Sequence, residues 1–299
     1  MTIKFDSLDR FLFEKKNVRG ELVRLQDSFQ EILASYHYPL QIQRLLGELM
    51  AASSLLTATL KFEGEISMQI HSEGLVNYAV INGSHDQKLR GVARWDESVE
   101  DLPSDFASLF HKGYIAITLA PREGERYQGI VALDKPSLAE CIEDYFFQSE
   151  QLLTKIQLYT QFTDDTPLSA GLLLQVLPET SETSQAHDNP DFDHLGVLAK
   201  TLSVDEVFTL PSADLLHRLY HEEVVRLYDP QHVVFHCDCS KQRSANALRS
   251  VAKSELLDII QEQGAIVMNC QFCHAEYKYD AVDVENIHNQ NHDIEPVKH

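Results

Sequence analysis

The sequence predicts an α+β protein built in three parts. We expect an N-terminal core domain of mixed sheet and helices over residues 1–177, an amphipathic helical linker over 178–230, and a small metal-binding module over 231–299. Three observations support this division. Alternating strand patterns with hairpin turns mix with separate helices up to Pro178, an acidic polar segment follows, and four of the five cysteines lie near the C-terminus. Strands joined by hairpins rather than by crossover helices are typical of α+β folds.

The core domain is predicted from its hydrophobic periodicity. Apolar residues at every second position indicate strands over 18–25, 66–70, 76–80, 89–93, 114–119, 126–133, 152–162 and 168–177. Helical spacing indicates helices over 27–36, 39–60, 103–113 and 137–146. Asp27 or Ser28 is expected to cap the first helix and Ser137 the last. Glu73-Gly74 and Asn82-Gly83 are expected to form hairpin turns.

The segment 178–230 is predicted to be a linker with short helices. It contains eleven acidic and three basic residues, so its charges repel one another. Apolar stripes at 195–202 and 215–220 flank a capping box at Ser203 and Glu206. Short amphipathic helices of this kind depend on docking for their stability. This pattern fits two interpretations, a plain tether and a metastable element that can switch between folded and unfolded states. The position of the segment between a large core and a metal-dependent module favours the second.

Four cysteines predict a metal site in the C-terminal module. One residue separates Cys237 from Cys239, two separate Cys270 from Cys273, and thirty lie between the pairs. Zinc accepts four thiolates in a closed tetrahedral site, so we expect these four residues to bind one zinc ion. Helices at 240–250 and 254–263, a strand at 265–268 and an aromatic hairpin should surround it. Residues 179–190 and the tail beyond Asn289 are expected to lack regular structure.

Other interpretations of the cysteines remain open. Two permanent disulfides would require an oxidising compartment. An iron–sulfur cluster also takes four thiolates, and spacing does not exclude it. The run 270–274 fits the c-type haem attachment pattern but leaves Cys237 and Cys239 unexplained. Cys141 is interpreted as a buried structural residue of an amphipathic helix, with a second redox thiol as the alternative.

Charge and composition exclude several classes of partner. With a net charge of −21, the surface repels phosphate backbones, so nucleic acid is not expected as a partner. No run approaches the roughly 20 apolar residues of a membrane span, and charges interrupt the N-terminal residues 1–6 where a signal peptide would be apolar. We therefore expect no membrane partner and a cytoplasmic location, where thiols are kept reduced.

Motifs of enzyme active sites are not found. The sequence has no phosphate-binding glycine loop, no nucleophile elbow and no distinct pair of carboxylates, so we expect neither catalytic residues nor an organic cofactor. His217 and His221 have a metal-binding spacing beside Glu222 and Glu223. Because the glutamate is not placed as in a zinc protease, we interpret them as a solvated helix face.

A metal site of this kind would make the C-terminal module sensitive to oxidants. Structural zinc contributes about 10–16 kcal/mol in small peptides, whereas whole domains are stable by about 5–15 kcal/mol. A small module should therefore unfold when its metal leaves. Thiolates that become disulfides no longer bind metal, and cysteines two or three positions apart can close rings too small to hold the module together. The cysteine spacing alone does not show that the protein uses oxidation to unfold this module.

The order of nine short motifs, together with the cysteine spacing, resembles the heat-shock protein 33 family of redox-regulated holdase chaperones. These motifs are RFLF at 10–13, VRGE at 18–21, LLTATLKF at 55–62, AVING at 79–83, RGVAR at 90–94, GERYQG at 124–129, EDYF at 143–146, FDHL at 192–195 and RLYHEE at 218–223. They span nearly the whole chain.

The resemblance implies a function for the cysteines. Cys237, Cys239, Cys270 and Cys273 match the ligands of one zinc ion in the reduced, inactive state. Oxidants would form the disulfides Cys237–Cys239 and Cys270–Cys273, release zinc, and unfold the module and linker. The exposed apolar surface would then hold unfolding client proteins without ATP, and the oxidised protein would form a homodimer. The alternatives are a permanent zinc-ribbon interaction protein and a thiol–disulfide oxidoreductase that uses Cys270 and Cys273.

Overall fold

A computed structural model describes residues 3–60, 62–163, 166–177 and 189–289. The stretch 179–188 and the tail beyond Asn289, both predicted to lack regular structure, lie outside the described residues. The chain forms two compact units, residues 1–236 and 237–299.

The first unit contains twelve described strands and seven described α-helices. In chain order these are β1 (Ser7–Phe13), β2 (Val18–Leu25), α1 (Asp27–Leu33), α2 (Leu40–Thr59), β3 (Gly64–His71), β4 (Val76–Ser84), β5 (Lys88–Trp95), α3 (Phe106–Leu109), β6 (Tyr114–Pro121), β7 (Tyr127–Ala132), α4 (Leu138–Tyr145), β8 (Thr154–Thr163), β9 (Thr166–Val176), α5 (Pro190–Ala199), α6 (Val204–Thr209), α7 (Ser212–Tyr220), β10 (Val225–Leu227), β11 (Gln231–His232) and β12 (Val234–Phe235). A π-helical turn, Phe146–Glu150, follows α4.

Two six-stranded sheets enclose the long helix α2. The first sheet has the order β10-β1-β2-β9-β8, with β11 also paired to β1, and the second has the order β12-β5-β4-β3-β6-β7. The pairs are antiparallel except for the parallel pair β12–β5. Helix α2 packs against strands of both sheets through Leu46, Leu49 and Leu56, all of which are buried. The predicted α+β class is confirmed.

The predicted turn at Asn82-Gly83 is wrong. Strand β4 continues to Ser84, and the chain reverses at 85–87, where Gln87 has φ 61°. A Cβ atom on Gly83 would lie 2.8 Å from Leu89 Cδ2 and 3.0 Å from Ser53 Oγ on α2. Gly83 therefore allows α2 to lie close to the sheet. An Asn-Gly pair in the sequence does not show whether its glycine serves a turn or a close contact of this kind.

The predicted cap of α1 is also wrong. Neither Asp27 nor Ser28 caps the helix with its own side chain; the carboxylate of Asp6 does so instead. It accepts hydrogen bonds from the backbone N–H groups of Asp27 at 2.9 Å and Ser28 at 3.0 Å, and another from Gln26 at 3.2 Å. A carboxylate at a helix N-terminus satisfies unpaired donors and interacts favourably with the helix dipole. The cap comes from a residue twenty positions upstream, which local sequence does not reveal.

Helices α5–α7 of the predicted linker pack on the face of the first sheet that points away from α2. Buried residues of the strands, such as Phe11 and Leu22, contact buried residues of the helices, such as Phe192, Leu195 and Leu216. The predicted capping box of Ser203 and Glu206 at the start of α6 is present. The first unit extends past the predicted linker boundary at residue 230, because β11 pairs with β1 and β12 pairs with β5.

The second unit is a small helix-and-hairpin fold. It contains α8 (Lys241–Leu248), α9 (Lys253–Gln263), β13 (Ile266–Asn269), β14 (Glu276–Tyr279) and α10 (Ala281–Asn289). Gly264 ends α9 in the left-handed conformation with φ 86°, as its position after a helical stripe predicts. Strands β13 and β14 form an antiparallel hairpin. Helix α10 was not predicted.

A buried carboxyl on β2 gives a testable pH dependence. Glu21 is 2% exposed, and this burial raises its pKa to about 7, although Arg19 and Arg10 oppose the shift. The unfolded value is about 4.3. Between these two values the folded protein binds more protons than the unfolded chain, so the contribution of Glu21 to stability is lost as pH rises towards 7.

We therefore expect Glu21→Gln to raise the free energy of unfolding by about 1–3 kcal/mol at pH 8 and to change it little near pH 4.5. Urea unfolding of the reduced protein at both pH values measures this effect. Glu65→Gln, at an exposed position of β3, is the matched control. Equal effects of Glu21→Gln on the free energy of unfolding at the two pH values would contradict the raised pKa of Glu21.

Candidate metal centre

The four cysteines predicted as ligands come together in the second unit. Their sulfur atoms all lie within 4.8 Å of one another, so the cluster could hold a metal ion. Cys237 Sγ lies 3.6 Å from Cys270 Sγ, and Cys239 Sγ lies 3.3 Å from Cys273 Sγ. A disulfide measures about 2.05 Å, so these are contacts between thiols and not bonds. These two contacts join the first cysteine pair to the second.

Two local structures position the cysteines. Cys237 and Cys239 lie directly before α8, whose first turn is capped by Ser240, which accepts a hydrogen bond from Arg243 N–H. Cys270 follows β13, and its N–H donates to Ala275 O at 3.0 Å while His274 N–H donates to Cys270 O at 2.9 Å. This tight turn, with His274 at φ 56°, brings the second pair back to the first.

Aromatic hydroxyls support the cluster from β14. The Tyr277 hydroxyl donates to Cys239 Sγ at 3.1 Å, and the Tyr279 hydroxyl donates to Lys241 O at 2.7 Å at the start of α8. Arg243 donates to Asp238 O at 3.0 Å, between the two cysteines of the first pair. The predicted aromatic hairpin includes Tyr277 and Tyr279, but no contact of theirs with the cysteines was expected. Their spacing of two places both on the same face of β14, which is the signal that could have linked them.

The electrostatics of the cluster favour a cation. Burial raises the pKa of Cys237 and of Cys273 above that of an ordinary thiol. Burial acts in the same direction on Cys239, but hydrogen bonds from Tyr277 and the neighbouring thiols outweigh it and lower its pKa. Without a cation, four thiolates this close together repel one another. Metal binding would therefore release protons and would weaken at low pH.

The other residues weighed in the sequence lie apart from this cluster. Cys141 is fully buried in α4 within the core of the first unit, and burial raises its pKa. His217 and His221 are exposed, and their ring centroids lie 6.5 Å apart. Among the described residues, the four cysteines are the one group of three or more metal-ligating side chains close enough to share an ion.

Comparison with known proteins places the chain in a family. The family described as Hsp33 protein matches residues 6–280, a range that includes all four clustered cysteines. The chain belongs to the Hsp33 family. An Hsp33 relative, the 33 kDa chaperonin of Pseudoalteromonas atlantica, is 59% identical over 286 residues, covering 96% of each protein. The 33 kDa chaperonin of Shewanella sediminis is 54% identical over 282 residues, covering 94% of this chain and 95% of that protein.

A solved Hsp33 structure has the same fold. The crystal structure of the 33 kDa chaperonin from Thermotoga maritima superposes with a TM-score of 0.81 and covers 97% of this chain and 100% of that one. Its sequence identity is 20%, so this likeness supports the fold alone. The name chaperonin denotes a chaperone and not an enzyme. Within the described part of the chain, no helix combines the length and apolar character that crossing a membrane requires.

Proposed function

We propose that this Hsp33 chain is a redox-regulated, ATP-independent holdase chaperone. In the reduced state it binds one zinc ion per chain through Cys237, Cys239, Cys270 and Cys273 and is inactive. Oxidation forms the disulfides Cys237–Cys239 and Cys270–Cys273, releases zinc and unfolds the linker. The oxidised protein dimerises and holds unfolding client proteins. We place it in the cytoplasm, with no nucleic-acid or membrane partner.

The geometry of the cluster supports zinc as the metal. Four sulfurs at about 2.3 Å from a tetrahedral zinc ion lie about 3.8 Å from one another. The closest contacts, 3.3 and 3.6 Å, are slightly shorter, and all pairs lie within 4.8 Å. The sulfurs therefore need little movement to bind a single ion. An iron–sulfur cluster would place several iron and sulfide atoms among the thiolates and require a wider cage.

The observation that carries the proposal is the apolar face beneath the linker helices. Helices α5–α7 cover a sheet face with the buried residues Phe11, Phe13, Val18, Leu22 and Leu172. Unfolding these helices would uncover a contiguous apolar surface, which is what a holdase needs to bind unfolding proteins. Cys237 follows directly after the short strands β10–β12, so the same stretch of chain connects the metal ligands to the linker.

The pairing of the disulfides matters for the switch. The short contacts of the reduced cluster run from the first cysteine pair to the second, and disulfides along those contacts would close long loops and restrain the module. Disulfides within each pair close tiny loops and leave the rest of the module free. The proposal therefore requires the cysteine side chains to turn away from their nearest neighbours once zinc leaves.

Oxidation by peroxide at raised temperature tests the proposal. We expect zinc release, loss of helix content, disulfides within each pair in peptide mass mapping, and suppression of citrate synthase aggregation without ATP. Cys141→Ala, which removes a cysteine outside the cluster, should respond like the parent protein. If zinc leaves but aggregation suppression stays at the reduced level, the proposal fails. A positive insulin-reduction assay would instead favour a thiol–disulfide oxidoreductase.

A further inference from the structure

A cavity in the first unit lies between the two sheets, at the C-terminal end of α2. Its volume is about 470 Å³, within the range of roughly 300–1,000 Å³ typical of small-molecule sites. Apolar side chains form most of its wall, among them Leu56 on α2, Ile117 and Leu119 on β6, and Phe146. The cavity belongs to the folded core and shares no residue with the metal centre or with helices α5–α7.

A π-helical turn forms one side of this cavity. Phe146 and Glu150, the two ends of the turn, both line it, and Gln151 then reverses the chain with φ 53°. The Tyr145 hydroxyl donates to Oε1 of Glu150 at 3.1 Å, so one oxygen of this carboxylate has a donor within the protein. Single π-helical turns occur frequently at functional sites because they displace side chains from the regular helical positions.

One cation, Arg19, is among the residues that line the cavity. Arg19 on β2 donates through Nη2 to Gln175 Oε1 at 2.6 Å. A ligand in the cavity would meet the Nη groups of Arg19 and not its Nε, because Nε is buried; Nε has no hydrogen-bond partner among the described residues. The nearest carboxylate oxygen to this nitrogen, Glu21 Oε1, lies at 3.7 Å, too far for a hydrogen bond. Burial raises the pKa of Glu21 to about 7, so near neutral pH it only partly offsets the charge of Arg19.

We propose that this cavity is a binding site for a single-chain amphiphile with a carboxylate head, which Arg19 holds while the alkyl chain lies among the leucine, isoleucine and phenylalanine side chains. A guanidinium has a fork of N–H donors that matches a carboxylate, and charge-assisted hydrogen bonds are the stronger kind. The apolar wall supplies the remaining free energy by removing methylene groups from water. This inference does not depend on the redox switch, because the site is complete in the reduced protein.

The ligand class predicts how affinity changes with chain length. Each buried methylene contributes about 0.8 kcal/mol, which is roughly a fourfold gain in affinity. Affinity should therefore rise about fourfold per methylene along a series of linear carboxylates and level off when the cavity is full. A charged hydrogen bond should make decanoate bind about tenfold or more tightly than decanol. A decyltrimethylammonium ion should not bind, because Arg19 repels it.

Titration calorimetry of the reduced, zinc-loaded full chain tests the site, with hexanoate to dodecanoate as probes below their micelle concentrations. Arg19→Met should remove the preference for decanoate over decanol and keep the dependence on chain length. Leu119→Trp should fill the cavity and abolish binding of both. Arg126→Met, which removes an exposed arginine outside the cavity, should bind like the parent protein.

Three results would overturn the proposal. They are absence of decanoate binding to the parent protein, an unchanged decanoate preference in Arg19→Met, and unchanged binding in Leu119→Trp. Thermal unfolding shows whether each variant is folded. If Leu119→Trp does not fold, Ile117→Phe replaces it as the cavity-filling variant. The chain-length series and the Arg19→Met comparison still decide the proposal.

Discussion

Replacing both Cys237 and Cys270 with serine is expected to unfold the second unit in the unstressed protein. Its apolar core consists of seven buried residues among those described, which are Ala245, Leu248, Leu256, Ile266, Tyr279, Val284 and Ile287. Structural zinc contributes about 10–16 kcal/mol to small folds, more than so small a core supplies. Loss of two ligands should therefore remove the metal and, with it, the helices α8–α10.

Hydrogen exchange and zinc analysis measure this result. Amides of Lys253–Gln263 and Ala281–Asn289 should lose their protection, and zinc should fall from one per chain to none. Cys141→Ala should keep both the zinc and the protection, because Cys141 lies in the core of the first unit. If the double variant remained protected across these helices without zinc, the metal would not be what stabilises the module.

Replacing Arg24 with methionine is expected to open the linker helices while zinc remains bound. Arg24 is 1% exposed, and its guanidinium donates to Val207 O at 2.5 Å, Leu210 O at 2.8 Å and Ser212 Oγ at 2.7 Å. Burial lowers its pKa to about 10, so it stays charged at neutral pH. One side chain on β2 thus binds the end of α6 and the beginning of α7.

The expected loss is large because Arg24 is itself buried and donates three hydrogen bonds to the linker segment. Without Arg24, the carbonyl groups of Val207 and Leu210 at the end of α6 lose a charged donor, and Ser212 keeps its contact with Asp9 at 2.8 Å. Hydrogen bonds to charged groups contribute about 1.5–3 kcal/mol each, and breaking a buried charged network costs about 3–5 kcal/mol. This loss of free energy exceeds the stability that such short helices have without docking.

Hydrogen exchange of residues 204–220 in the reduced, zinc-loaded protein measures the opening, and suppression of client aggregation in the same sample measures activity. Arg24→Lys keeps the charge but not the fork of donors and should give an intermediate effect. Arg226→Met removes the exposed ion pair with Glu14 and should change little. Unchanged protection in Arg24→Met would disprove the anchoring role. Lost protection without client binding would instead contradict the proposed holdase function.

Sequence patterns were sufficient for strands β2 to β9 and for the group of candidate metal ligands. The period of two gave strands β2 to β9 to within a few residues, and the cysteine spacing identified four side chains that the fold brings together. Errors arose where residues distant in sequence decide the local structure. Gly83 does not form a turn but allows α2 to pack closely against β4, and the carboxylate that caps α1 belongs to Asp6. The short strands β10–β12 were missed because their pairing partners are far away in the chain. Strand β1 was also missed, although it forms a hairpin with the neighbouring strand β2.

Arg24 carried a signal that was overlooked. It lies on the same face of β2 as Val18 and Leu22, where a charged residue interrupts an apolar pattern with a period of two. Such an interruption indicates either that the strand lies at the exposed edge of a sheet or that the charged side chain has a buried hydrogen-bond partner. The partners, Val207 and Leu210, are more than 180 residues away in sequence, so only the folded chain identifies them.

By itself, the sequence determined which residues are chemically able to bind a metal and which segments repeat with the period of a strand or helix, because both depend on residue type and spacing along the chain. The tertiary structure decided which apolar face the linker helices cover, that Arg24 donates hydrogen bonds to them, and that a mainly apolar cavity lined in part by Arg19 lies between the sheets. These features depend on contacts between residues far apart in the chain, and the free energy of such contacts is set by burial, which spacing does not encode.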